Sequence, residues 1–385
     1  MPKMGMRLLL ISQDFPPARG GIQTYAYELA KRFAARCEDF VVLAPGPPGG
    51  APGDAGLPFE VRRVAGPADQ FTLRAAFPVR RLVRERRLDT VFAAQWFGAL
   101  PALGLRRRGR VRRLFVAAHG REVVFEPRAW PGPARSVYRG LRRRVYRTAD
   151  ALFPVSTFVA GLVEAAGGDP IRMTVVNNGT DPTLFAPADA TALRAALGLG
   201  HRPTILTVCR LIARKGVDAT LRALPRVRGH LPDVVYLVVG DGPDLPRLRA
   251  LAAELGVEEH VRFLPGVDYE LTPAYYNAAD VVTMPCRDDP PEVEGFGIVF
   301  LEANACGKPV VGTYAGGITD AIRHGETGLL VEPDDPDRLA DAIVTLLTTP
   351  DTAARLGRQG REHVLREANW DAVAHRIFET MTACG

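Results

Sequence analysis

Short apolar runs recur along this chain, each breaking off into a loop that opens a helical stretch. In the first half they cover residues 7–12, 41–43, 59–64, 90–94, 114–118, 151–155 and 174–176. In the second they cover 204–208, 234–239, 261–264, 281–284 and 309–312. The segments between them carry helical spacing, as where Ile22, Tyr25, Ala26 and Leu29 share one face of a helix over 21–33. Further helices are expected over 72–87, 134–147, 335–348 and 350–367, after Ser156 as an N-cap, and finally over 370–381. Strands that are apolar throughout and alternate with helices predict βαβ units and parallel sheets covered on both faces. A length of 385 residues exceeds one hydrophobic core. The expectation is therefore an α/β chain of two doubly wound, Rossmann-like domains facing a central cleft. The turn residues of 177–182 place the junction near residue 187, giving domains 1–187 and 188–369 with a hinge at 180–190. The last helix, 370–385, is expected to pack back on the first domain. Ligands of such sheets bind at the carboxyl ends of the strands.

One stretch, residues 292–307, is hard to explain by stability alone. Glu294 lies in an acidic loop that turns through Gly295 and Gly297 into a helix, and Glu302 sits about two turns inside it. Glycines allow close backbone approach, and a helix N-terminus favours anions. Two carboxylates beside an anion site fit a ligand with phosphates at one end and hydroxyls at the other. Arg210 and Lys215, in a loop between a strand and a helix, can supply the cations a diphosphate needs. His119 follows an apolar strand directly, and Gly20-Gly21 offers N–H groups at a helix start.

Several classes are disfavoured. No G-x-G-x-x-G follows the first strand, and no G-x-x-x-x-G-K-[ST] or G-x-S-x-G is present. The five cysteines are scattered without a C-x-x-C pair, the pattern of reduced thiols with neither metal nor disulfide framework. No apolar run reaches membrane-spanning length, so a cytoplasmic protein is expected. The net charge of +6 is uneven, with a strongly basic first half and an acidic second. The arginine clusters at 80–87, 106–108 and 142–144 are either solvated helix faces or a surface for the inner face of an anionic membrane. Nucleic acid is the weaker partner, because aromatics are not interleaved with these arginines.

Taken together, Glu294-x7-Glu302, Arg210-x4-Lys215-Gly216, the His119-Gly120 turn, Gly20-Gly21 and Gly316-Gly317 resemble the E-x7-E retaining glycosyltransferases of the GT-B fold, family 4. The chain is similar in particular to the phosphatidylinositol mannosyltransferase-like, GDP-mannose-dependent bacterial branch. The resemblance implies a retaining, metal-independent transfer of a hexose from a nucleotide-diphosphate sugar, without a further cofactor. It puts GDP-mannose ahead of UDP-linked sugars, and a lipid-linked or membrane-proximal glycan as acceptor. It implies that Arg210 and Lys215 neutralise the diphosphate, that Glu302 holds the ribose, and that Glu294 holds the transferred sugar. The backbone of Phe296, Gly297 and Ile298 would lie along the sugar-phosphate, with the base near Val261 and Leu264. His119 would contact the sugar near the reacting carbon, Gly20 and Gly21 would approach the diphosphate, and Asp14 and Gln23 are acceptor candidates. The alternatives are a soluble acceptor in the same family, a non-catalytic sugar-nucleotide binder, and a nucleic-acid-binding protein with a Rossmann-like core.

Overall fold

A computed structural model describes residues 4–18, 20–47, 49–126, 130–290 and 292–384. These divide into two compact units, Met1–Asn177 with Trp370–Gly385, and Asn178–Asn369. The chain passes between them at Asn177–Asn178, N-terminal to the junction expected near residue 187. Contacts of the intervening residues explain the difference. Thr180 bridges to Asn369, the Ala188 N–H donates to Asn277 Oδ1 at 2.9 Å, and Phe185 meets Tyr269 and Tyr276 edge-on.

The first unit holds β1 (Met4–Ile11), β2 (Cys37–Pro45), β3 (Glu60–Val64), β4 (Thr90–Ala93), β5 (Arg113–Ala118) and β6 (Ala151–Pro154). They form one sheet in the order β3-β2-β1-β4-β5-β6, with every pair parallel. Leu8 to Ile11 are fully buried, as a central strand covered on both faces requires. The helix Trp370–Ala383 belongs to this unit. Its Phe378 packs edge-on against Phe33 of the helix Gly21–Arg36 at 4.7 Å between ring centroids, and Trp370 meets Tyr25. Burial of Val373, Ala374, Ile377 and Phe378 anchors the helix through the hydrophobic effect.

The second unit holds β7 (Thr204–Val208), β8 (Val235–Val239), β9 (Val261–Leu264), β10 (Val281–Thr283), β11 (Val310–Thr313) and β12 (Gly328–Val331). Its order is β12-β11-β10-β7-β8-β9, again all parallel. Read from β9 to β12, this is the same winding as the first unit, 3-2-1-4-5-6, the doubly wound order.

Some details depart from the periodicity. The expected helix over 72–87 is two, Phe71–Arg74 and Ala76–Glu85, because Pro78 has no N–H to bond the Arg74 carbonyl. Residues 174–176 form no strand. The Thr174 and Val176 N–H groups bond to Leu152 and Pro154 of β6, and the run ends at the Asn177-Asn178 turn before a ladder is built. The helix Leu100–Arg107 and β12 were not visible in the pattern. Pro101 and Gly104 dilute the helical signal in the first, and the second is only four residues long.

Candidate functional site

In the second unit, the loops leaving β7, β10 and β11 converge because glycines let backbones touch. Gly216 has φ +70°, and a Cβ there would lie 1.8 Å from the Pro285 carbonyl oxygen. Gly316 has φ +52°, and its Cβ would lie 2.3 Å from the Glu294 carbonyl oxygen. The Gly317 N–H donates to that same carbonyl at 2.9 Å, and the Gly316 N–H donates to Asp288 Oδ2 at 3.2 Å. The three loops are thereby locked around Glu294.

The Glu294 carboxylate is buried between two cations. Lys215 Nζ and Arg214 Nη1 each donate to its Oε2 at 2.5 Å. Burial alone would raise this carboxyl, but Lys215 and Arg214 together outweigh it and hold it at about 2. The same pairing overcomes the downward pull of burial on both bases, and both are raised. Two thiols line the pair. Cys286 Sγ lies 3.8 Å from Glu294 Oε2, and burial pushes Cys209 up to about 12 and Cys286 higher still, so both stay protonated. All five cysteines are free.

Arg210 is elsewhere. Its side chain is exposed and has no hydrogen bond or ion pair among the described residues. The cation beside Lys215 on Glu294 is Arg214, which the sequence reasoning missed although it adjoins Lys215. Phe296 is buried, and Gly297, at φ +94°, opens the eight-residue helix Ile298–Ala305. The N–H groups of Gly297 and Ile298 donate to no backbone acceptor among the described residues. Glu302 lies within this helix, buried. Its Oε1 accepts from the Tyr269 hydroxyl at 3.0 Å and its Oε2 from the Tyr276 hydroxyl at 2.7 Å. Burial raises the Glu302 carboxyl against these two donors. One motif thus carries one carboxyl lowered by two cations and another raised by burial. On β9, Val261 belongs to the hydrophobic core and Leu264 is half-buried, its carbonyl accepting the Gly240 N–H at 3.1 Å.

In the first unit, the ends of β1, β4 and β5 gather a second polar group. His119 follows β5, and its Nε2–H donates to the Ala94 carbonyl at 2.9 Å, which leaves Nδ1 as the ring's acceptor. Burial lowers its pKa to about 4, so the ring is neutral at physiological pH. Tyr25 packs edge-on against it at 4.6 Å. The His119 backbone N–H donates to Glu122 Oε1 at 2.6 Å. Asp14, after β1, accepts from Gln23 Nε2 at 2.9 Å on Oδ1 and from Gln95 Nε2 on Oδ2. Burial raises its pKa. The candidates Asp14 and Gln23 are therefore in contact, with Gln95 and Glu122 as unexpected neighbours. Gly20, at φ +150°, precedes the helix that Gly21 begins, and its carbonyl accepts from Thr24. Among the described residues no three His, Cys, Asp or Glu side chains are grouped to hold a metal ion. No described helix is long and apolar enough to cross a membrane.

Residues 20–179 match the glycosyl transferase 4-like domain, and residues 189–363 match the glycosyl transferases group 1 family. The chain is 37% identical over 385 residues to a GDP-mannose-dependent alpha-(1-6)-phosphatidylinositol monomannoside mannosyltransferase of Mycobacterium tuberculosis, with 97% of each chain covered. It is 32% identical to the corresponding enzyme for the monoacylated substrate in Corynebacterium glutamicum, with 96% of each covered. Among solved structures, Anabaena HepE in complex with UDP matches with a TM-score of 0.82 at 22% identity, over 98% of this chain and 100% of that one. That likeness concerns the fold. With both halves matched and relatives aligned nearly end to end, the chain belongs to the family 4 glycosyltransferases of the GT-B fold.

Proposed function

We propose that the protein transfers a mannosyl group from GDP-mannose to a lipid-linked inositol mannoside acceptor, with retention of configuration and without a metal ion. The observation that carries this reading is the buried Lys215–Glu294–Arg214 cluster beside the free N–H groups of Gly297 and Ile298. Two cations and a helix start can accept the donor diphosphate and stabilise it as it departs. Glu294 then serves the sugar hydroxyls, and its low pKa keeps it an acceptor throughout. Each Glu302 oxygen already takes one tyrosine hydroxyl and retains a second acceptor direction for a ribose hydroxyl. Arg210, exposed and unpartnered, is available as a further diphosphate cation. In the first unit, neutral His119 offers Nδ1 as an acceptor to a sugar hydroxyl. Gly20 and Gly21 remain candidate donor contacts there, and Asp14 and Gln23 candidate acceptor contacts.

In the proposed step, the bond from the anomeric carbon to the diphosphate oxygen breaks and leaves an oxocarbenium-like sugar. The acceptor hydroxyl attacks from the same face, its oxygen forms the new bond, and its proton passes to the departing phosphate oxygen. Lys215 and Arg214 balance the charge that grows on the diphosphate.

A peripheral contact with the inner membrane face is part of the proposal. Leu73 and Phe77 are 82% and 72% exposed, and the exposed Arg74, Arg80, Arg81 and Arg84 flank them. Each arginine near an anionic surface contributes about 1 kcal/mol. A soluble acceptor remains the competing reading, and it requires no vesicle binding.

A thermal-shift panel of GDP, UDP and ADP with their sugars tests the donor. A ligand at 100 times its Kd stabilises the fold by about 2.7 kcal/mol. GDP-mannose should protect the wild type and fail to protect Lys215→Ala. Protection by UDP-sugars alone would overturn the donor assignment.

A further inference from the structure

Glu122 is used by nothing in the proposed transfer, yet it is wedged into the first unit's polar group. It lies in the short turn of helix Arg121–Val124, just after Gly120 at φ +114°. Trp96 Nε1 donates to its carbonyl at 3.0 Å, and Arg142 donates to the next carbonyl, that of Val123. Its side chain is only 8% exposed. Oε1 receives the His119 N–H at 2.6 Å, whereas Oε2 is buried with no hydrogen-bond partner, as are Arg142 Nε and the Tyr146 hydroxyl. A buried carboxylate oxygen left unmatched is costly, and such groups call for an explanation beyond packing.

We propose that Glu122 is a positioning residue for His119: its carboxylate fixes the strand-end turn through the His119 backbone N–H, and gaining a proton loosens that hold. This rests on the glycosyltransferase reading only for its effect on catalysis. A hydrogen bond to an ionised acceptor is roughly twice as strong as one to a neutral group. The change of hold therefore follows the ionisation of Glu122.

The surroundings identify which group titrates. Burial raises the Glu122 carboxyl to about 7; the N–H groups of the turn oppose this and the nearby Asp14 adds to it. His119 is held at about 4, so it does not change charge near neutrality. From the helix Gly132–Thr148, Tyr138, Arg142 and Tyr146 face the site; both tyrosines are raised and stay neutral. Gln95 after β4 is uncharged, the Arg121 guanidinium acts on Asp14, and the Asp14 carboxyl is raised by burial. The hold on His119 is thus strongest above about pH 7 and weakens as pH falls.

Selective 15N-histidine labelling gives seven backbone amides, and His119→Asn identifies the one of interest. The wild-type His119 amide proton should lie downfield and move upfield as pH falls through neutrality, and in Glu122→Gln it should not titrate. A flat wild-type resonance, or the same titration in Glu122→Gln, would overturn the proposal. In transfer assays, wild-type kcat should fall several-fold below neutral pH with donor KM little changed, and Glu122→Gln should lack that limb. If the wild type transfers no sugar at all, the proposed function fails, while the amide titration still decides the role of Glu122.

Discussion

Replacing Glu294 by Gln tests the electrostatics of the site without changing its shape. In the wild type, Lys215 and Arg214 hold this carboxyl at about 2 against an ordinary value of 4.5. That difference corresponds to roughly 3 kcal/mol of stability. A folded-state pKa below the unfolded one gives stability that is full above pH 4.5 and is lost as pH falls towards 2. The amide also leaves two buried cations uncompensated, and breaking a buried pair costs about 3–5 kcal/mol. Both routes predict a loss near 3 kcal/mol at pH 7. The three tryptophans, Trp96, Trp130 and Trp370, all lie in the first unit, so tryptophan fluorescence would miss the effect. Far-UV circular dichroism during urea unfolding sees both units. Glu294→Gln should lower the stability of the transition assigned to the second unit at pH 7, and the gap should shrink between pH 4.5 and pH 3. A variant as stable as the wild type at pH 7, or a gap independent of pH, would refute the reasoning.

Other perturbations follow from the same contacts. Tyr276→Phe removes the donor on Glu302 Oε2 and should cost about 1–3 kcal/mol, measured by chemical denaturation. Gly216→Ala forces a Cβ onto the Pro285 carbonyl at a positive φ and should cost more than about 2 kcal/mol. Gly229→Ala, in a helix with nothing within 4 Å of the new Cβ, should gain about 0.5 kcal/mol. Changing Leu73 and Phe77 together to Ser should leave the circular dichroism spectrum intact, since both are exposed, and weaken co-sedimentation with anionic vesicles at least about tenfold. Wild-type protein that does not co-sediment with anionic vesicles would argue for a soluble acceptor.

The architecture was legible because parallel strands covered on both faces must be apolar throughout, as Leu8 to Ile11 and Val235–Val239 are. Elements with diluted or short signals were not, such as Leu100–Arg107 and Gly328–Val331. At the site, the positions of Glu294 and Lys215 were legible from spacing, but their mutual contact was not. Glu294 and Lys215 are 79 positions apart, and only the folded loops bring them to 2.5 Å. Likewise the tyrosines on Glu302 come from 26 and 33 positions away. Arg210 and Arg214 both look like strand-end cations, and which one reaches Glu294 depends on the turn that ends at Gly216. Glu122 gave no sign at all, since a carboxylate three residues after a histidine is ordinary until its burial is seen.

The most direct test of the proposed transfer is the configuration of the product. The protein would be incubated with GDP-α-mannose and a phosphatidylinositol mannoside, and the new linkage read by the anomeric one-bond carbon–proton coupling in NMR. The account predicts an α-linked mannose made by the wild type, with turnover reduced about 10²–10³-fold in Lys215→Ala, the loss expected when one charge-stabilising donor is removed. A β-linkage, or near-native turnover by Lys215→Ala, would contradict it.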